Sequence, residues 1–222
     1  QQTASKLPEN SVLHLGILNS LRSWNLFDTP RSVYSYSNVG GFGIDGVLSA
    51  CVGASLANSD KLFFCVLGDL AMFYDMNVLG NRHIKNNLRI IVLNNGTGYE
   101  MHCPGSIGAE FGTDTDYYFA AGGHYGNQSR KLLKNYAEDL GFEYISAESQ
   151  EEYLSHLSHF VSPKKYDKSI LFEVFVAEED DDIAYRMTRK IQQNAESKVK
   201  NLAKSVLGEN GYQGLKKVLK RN

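Results

Sequence analysis

A chain of 222 residues with 42% hydrophobic content and a formal charge of −2 is long enough to bury a full α/β core, and its charge is too balanced for a nucleic-acid-binding protein. No apolar run reaches the roughly 20 residues that a spanning helix needs, which argues against a membrane protein. The three cysteines, Cys51, Cys65 and Cys103, are odd in number and lack metal-ligand spacing, so they read as free thiols in a reducing cytoplasm. The start, Gln1 to Lys6, has neither an initiator Met nor a signal-peptide pattern, as expected of a C-terminal piece of a longer protein.

In chain order, short runs rich in β-branched and aromatic residues predict strands at 11–15, 32–36, 61–67, 88–93, 142–145 and 169–176. Between them, periodicity predicts helices over 20–27, 44–57, 72–84, 130–140 and 150–160. Alternating β and α segments imply an α/β fold, a mostly parallel sheet with helices on both faces. Ligands of such sheets sit at the carboxyl ends of the strands. That rule singles out the turns after Tyr36 and Leu67 and the long aperiodic segment 94–117, which has the length of a ligand-covering loop.

From Glu178 the chain changes character. The acidic run Glu178-Glu179-Asp180-Asp181-Asp182 fits a helix start, where the macrodipole favours negative charge, and a basic tail ends at Lys216-Lys217-Val218-Leu219-Lys220-Arg221-Asn222. The expected division is a domain over 1–180 and a basic helical extension over 181–222. Ile191, Val199, Leu202 and Val206 would pack the extension against the domain or a partner. With no aromatic beyond Tyr185 near its start except Tyr212, the tail does not read as a nucleic-acid site.

Two turns carry the chemistry. The apolar run Leu62 to Leu67 ends in Gly68-Asp69 and enters a helix; one strand–helix–strand unit later Arg89 to Leu93 ends in Asn94-Asn95-Gly96-Thr97-Gly98. Asp69 and Asn95 therefore finish neighbouring strands. A hard divalent cation such as Mg²⁺ takes oxygen ligands and shares them with phosphates, so a carboxylate, an amide oxygen and a backbone carbonyl suit it. The amides near Leu70 and Ala71, opening a helix, suit phosphate oxygens.

Gly68-Asp69 followed at this spacing by Asn94-Asn95 resembles the cofactor signature of thiamine-diphosphate (ThDP) dependent enzymes. Tyr36-Ser37-Asn38-Val39-Gly40-Gly41-Phe42-Gly43-Ile44-Asp45-Gly46 and Gly68-Asp69-Leu70-Ala71-Met72-Phe73-Tyr74-Asp75-Met76-Asn77 resemble the menaquinone-pathway synthase family, which joins 2-oxoglutarate to isochorismate. The resemblance covers roughly 11–101 and implies a ThDP-binding fold holding the diphosphate. It makes Asp69 and Asn95 side-chain Mg²⁺ ligands, Thr97 a backbone ligand and Ile44 the apolar support of a bent cofactor, with Gly43 and Gly46 allowing close backbone approach. Leu70 departs from the signature, where many members have Gly. Two arginines that hold anionic substrates in that family are replaced by Val39 and Trp24, with Arg22 nearby but displaced in register, which implies a different substrate.

On this reading the chain is half of a two-domain active site in a 2-oxo acid decarboxylase or carboligase, inactive in isolation. The carboxylate that activates the cofactor would come from a pyrimidine-binding domain of the same protein or of a separate subunit, in a homodimer or homotetramer. Glu100 and His102, just past the Asn-Asn turn, are the candidates for substrate-side proton handling. His14, His83, His156 and His159 read as packing residues, and Gly46, Ala50, Gly53, Ala54 and Ala57 as a close-packing helix face. Two alternatives stand. Gly41-Phe42-Gly43-Ile44-Asp45-Gly46 also satisfies the dinucleotide pattern of an NAD-dependent oxidoreductase, though this leaves Asn94-Asn95 without a role. The other is a non-catalytic module that binds a partner through its tail.

Overall fold

The computed structural model describes residues 1–41, 43–124 and 129–191, together with 202, 204–208 and 211. The chain divides into two units, Gln1–Asp182 and Ile183–Asn222. The first carries six parallel strands: β1 (Val12–Leu15), β2 (Tyr34–Ser37), β3 (Phe63–Gly68), β4 (Leu88–Asn94), β5 (Glu143–Ala147) and β6 (Ile170–Phe175). They lie in the order β2-β1-β3-β4-β6-β5. The fold class is the expected one, with every strand pair parallel.

The helices are α1 (Asn19–Trp24), α2 (Val47–Ala57), α3 (Asp69–Asp75), α4 (Leu132–Asp139), α5 (Gln150–Phe160) and α6 (Glu178–Ile191). Strand side chains alternate between two apolar layers. Phe63, Cys65, Leu67, Ile90 and Val92 meet α2, α3 and α4 through Leu48, Met72 and Leu133. Phe64, Val66, Ile91 and Phe172 face the other way, against Leu157 and Phe160 of α5. Both layers are sealed, so β3 and β4 are apolar at nearly every position rather than at alternate ones. The edge strand β2 is the exception, with Tyr34 59% exposed.

Several predicted boundaries shift, each for a local reason. The helix expected over 44–57 starts at Val47, because Gly46 has φ +83° and stands outside it. The helix expected over 72–84 begins earlier, at Asp69, and ends at Asp75. A 3₁₀ turn over Met76–Gly80 and an Asn81 side chain accepting from the His83 amide follow it. The helix expected over 20–27 is only Asn19–Trp24. The long segment after β4 is not featureless, but coils into short turns at Tyr99–Met101, Gly108–Phe111 and Asp116–Ala120. Helix α6 opens within the acidic run. Leu202 and Val206 are exposed. Val199, Tyr212 and the basic stretch 216–222 lie outside the described residues, as does Phe42.

Gly46 has no side chain to satisfy the first amides of α2, and Asp75 does so from the end of α3. Its carboxylate accepts from the Ser49 amide at 2.7 Å and from the Ser49 hydroxyl. This ties the 43–46 turn to the helix that follows Asp69. Asp75→Ala is expected to lower stability by about 1–2 kcal/mol, the usual worth of a helix cap, read as a lower urea midpoint with an unchanged m-value.

Candidate functional site

The chain departs from β1 in one direction, to β2, and later returns to β1's other side with β3. The crevice at that reversal is where ligands of open α/β sheets sit. A cavity of about 300 Å³ lies there, walled by Gly16 to Ser20 after β1, Gly68 to Ala71 after β3, and Asn95 and Thr97 to Glu100 after β4. Ile44 from the turn before α2, Tyr153 from α5 and Asp181 from α6 complete it. Leu18 is held at φ +66°, a left-handed conformation costly for a branched side chain, and it lines this same cavity.

The register of β3 on β4 sets the geometry. Gly68 is opposite Leu93, so Asp69 and Asn94-Asn95 emerge side by side. Asp69 is 2% exposed. Its carboxylate accepts from the Gly96 amide at 3.1 Å, and His124 Nε2 lies 2.8 Å from the same oxygen. Burial pushes this carboxyl above the ordinary aspartate range, against the opposing pull of His124 and of the Leu70 and Gly96 amides. Asn95 donates its amide to Asp181 Oδ2, while its Oδ1 accepts from the Thr97 amide at 3.2 Å. Gly96 makes the turn possible at φ +78°.

Beyond the turn, Thr97 Oγ1 lies 3.1 Å from Asp116 Oδ1 and 3.2 Å from His102 Nε2, and His102 is itself 2.9 Å from Asp116. Glu100 accepts both terminal nitrogens of Arg22, at 2.6 and 3.2 Å. The cavity thus gathers Ile44, Gly68, Asp69, Leu70, Ala71, Asn95, Thr97 and Glu100. Gly43 and His102 are not among its lining residues. Three carboxylates line it, those of Asp69, Glu100 and Asp181, and among the described lining residues there is no lysine, arginine or histidine.

Sequence reasoning missed several residues. His124 follows a Gly-Gly pair with no periodic context to mark it, and Asp181 reads in sequence only as part of a helix start. The β1 exit, Gly16 to Asn19, carries no motif of its own. Glu173, by contrast, had a signal, being the one charged residue in the apolar strand β6. It is 1% exposed and accepts from Asn94 Nδ2 and from Tyr144 OH, each at 2.7 Å.

No family model matches the chain. It is 37% identical over 169 residues to the 2-succinyl-5-enolpyruvyl-6-hydroxy-3-cyclohexene-1-carboxylate synthase of Bacteroides thetaiotaomicron, covering 76% of this chain and 29% of that protein. The synthase of the same name from Phocaeicola vulgatus is 36% identical over 176 residues, covering 79% of this chain and 30% of the relative. In fold, the chain matches the thiamine diphosphate-dependent 4-hydroxybenzoylformate decarboxylase of Rhodococcus jostii RHA1 with a TM-score of 0.55 and 20% identity, over 79% of this chain and 31% of that one. In sequence the chain is a relative of these synthases, and in fold it matches a thiamine-diphosphate-dependent enzyme. It spans about 30% of the length of the curated relatives it matches.

The sheet topology bears on the dinucleotide alternative. A dinucleotide fold places its glycine turn at the crevice where strand order reverses. Here the glycines from Gly40 to Gly46 follow the edge strand β2, while the reversal falls between β1 and β3. Close packing also constrains the far side of the cavity: a Cβ on Gly98 would stand 3.1 Å from the Ala120 carbonyl and 3.2 Å from Leu70. Gly98→Ala is expected to cost about 1–3 kcal/mol through overpacking and to raise amide hydrogen exchange across 97–120, with β3 and β4 unaffected.

Proposed function

We propose that this chain holds the diphosphate and magnesium of ThDP, as one half of the active site of an enzyme that cleaves or forms a bond at the carbonyl carbon of a 2-oxo acid. The carrying observation is the juxtaposition of Asp69 and Asn95 at the exits of adjacent strands, on a cavity whose described lining residues include three carboxylates and no basic side chain. A diphosphate alone would be repelled by that wall. Accompanied by a divalent cation it fits, because the cation neutralises both the phosphates and Asp69.

The donor set suits Mg²⁺: the Asp69 carboxylate, the Asn95 amide oxygen and the Thr97 carbonyl are all hard oxygens, and such sites complete their octahedron with phosphate oxygens and water. Among the described residues no group of three or more His, Cys, Asp or Glu side chains is placed to hold a metal. The site therefore relies on a single carboxylate with neutral oxygens, a low-charge set that leaves the cation to be shared with phosphate. The Asp181 carboxylate, by accepting from Asn95 Nδ2, fixes which end of that amide faces the cavity. His124 occupies an Asp69 oxygen and yields it when the cation enters.

ThDP, when bound, supplies the electron sink for breaking or making the bond next to the substrate carbonyl. Ile44, on the cavity wall, would be the apolar residue against the cofactor's rings. Gly43, in the turn before it, lets the backbone come close. The carboxylate that activates the aminopyrimidine comes from a pyrimidine-binding domain, of the same protein or of a neighbouring subunit in a homodimer or homotetramer. On the substrate side, Glu100 and His102 handle protons, with Arg22 and Asp116 holding each in place. Arg22, next in sequence to the lining residue Ser23, is the group available to a substrate carboxylate that displaces Glu100.

Calorimetric titration of the intact protein with ThDP, with and without Mg²⁺, tests the reading. Binding is expected only with the metal, and Asp69→Ala combined with Asn95→Ala is expected to weaken it by well over tenfold, about 1.4 kcal/mol being one factor of ten. Binding of a nicotinamide dinucleotide in place of ThDP would overturn the proposal in favour of an oxidoreductase.

A further inference from the structure

The carboxylate of Glu173 is buried, and among the described residues no basic side chain bonds to it. Burial pushes its pKa above the ordinary glutamate range, and the charge of Asp69 pushes the same way. Hydrogen bonds from Tyr144 and Asn94 and the more distant Arg130 pull against both. A buried carboxylate held only by neutral donors is a poor way to stabilise a core, since an apolar residue of similar size would avoid the desolvation. Its neighbours Ile170, Leu171 and Phe172 are indeed apolar. What Glu173 does hold is the residue immediately before the Asn95 turn.

That hold is part of a set. Asn94 is fastened to β6 twice, by its side chain on Glu173 and by its carbonyl, which accepts from the Val176 amide at 2.9 Å. The following residues are fastened to the chain just beyond β6, Asn95 to Asp181 and Tyr99 to Asp182. The turn that carries Asn95 Oδ1 and the Thr97 carbonyl is thus anchored at its entry, and the anchor there is a carboxylate whose two oxygens are both engaged.

We infer that Glu173 is a positioning residue for the metal-binding turn, acting through Asn94 to fix where Asn95 and Thr97 present their oxygens. The inference rests on the metal-site reading above. Mg²⁺ demands near-ideal octahedral geometry, so a small rotation of the turn costs affinity even when every ligand is present. Partners behind a metal ligand commonly change affinity by about 10- to 100-fold when removed. Glutamine at 173 preserves both links, its carbonyl accepting from Asn94 and its amide donating to the Tyr144 oxygen, whereas methionine fills the volume and preserves neither.

The test is Mg²⁺-dependent ThDP binding by calorimetry, with melting temperature measured alongside, in the intact protein and its variants. Glu173→Met and Asn94→Ala are expected to weaken binding at least about tenfold. The double variant should be no worse than either single, because both cut one link. Glu173→Gln and Tyr144→Phe should stay within about twofold of the parent, as each keeps the Asn94 contact. Should Glu173→Met fail to fold, Asn94→Ala against Tyr144→Phe decides the matter alone. Parental affinity in Asn94→Ala, or equal losses in Asn94→Ala and Tyr144→Phe, would overturn the inference. Unchanged affinity in an Asp69→Ala control would instead overturn the metal-site reading beneath it.

Discussion

The site depends on the parallel pairing of β3 with β4. With Gly68 opposite Leu93, the two strands end level, and the residues that follow them, Asp69 on one and Asn94-Asn95 on the other, leave the sheet as neighbours. A slip of one residue would turn every side chain of a strand to the opposite layer. Phe63, Cys65 and Leu67 belong to one apolar layer and Phe64 and Val66 to the other, so the register is specified by both layers at once. The ligand geometry is in this sense a by-product of core packing: the hydrophobic fit fixes the strand ends, and the polar residues need only follow them.

Charge then decides what the crevice accepts. Asp69, Glu100 and Asp181 line it, with His124 against Asp69 and Arg22 against Glu100, and burial makes the Asp69 charge costly. A pocket for a bare anion has the opposite electrostatics, with Arg, Lys or an uncompensated helix N-terminus facing inward. Arg22 meets Glu100 in a two-pronged pair. The resemblance to the synthases implies arginines where this chain has Val39 and Trp24, and Arg22 is the neighbouring guanidinium in sequence.

The second support of the site lies behind the turn. β6 has no residue among those lining the cavity, yet Glu173, the Val176 amide and the first residues of α6 hold the stretch from Asn94 to Tyr99. Buried polar groups are tolerable only when their hydrogen bonds are complete, and Glu173 meets that condition through two residues on two different strands. Asn94, Tyr144 and Glu173 consequently behave as one unit across β4, β6 and β5.

Much was legible in the sequence because the relevant signals are local. Continuous apolar runs identified β3 and β4 as strands covered on both faces, and Gly-Asp and Asn-Asn-Gly at their ends marked the exits where ligands gather. The βα alternation implied parallel pairing, and hence that Asp69 and Asn95 are neighbours. What tertiary structure alone decided is what meets those residues from far along the chain. His124 reaches Asp69, Asp181 reaches Asn95, Arg22 reaches Glu100, and the β1 exit with its strained Leu18 supplies a wall. The helix from Asp69 gives way at Asp75 to a 3₁₀ turn over Met76–Gly80, short of the end that periodicity implied, and α2 is capped by Asp75 rather than by its own sequence. Periodicity records which face of an element is apolar, whereas a hydrogen bond between distant residues depends on strand order and register, and these exist only once the sheet has assembled.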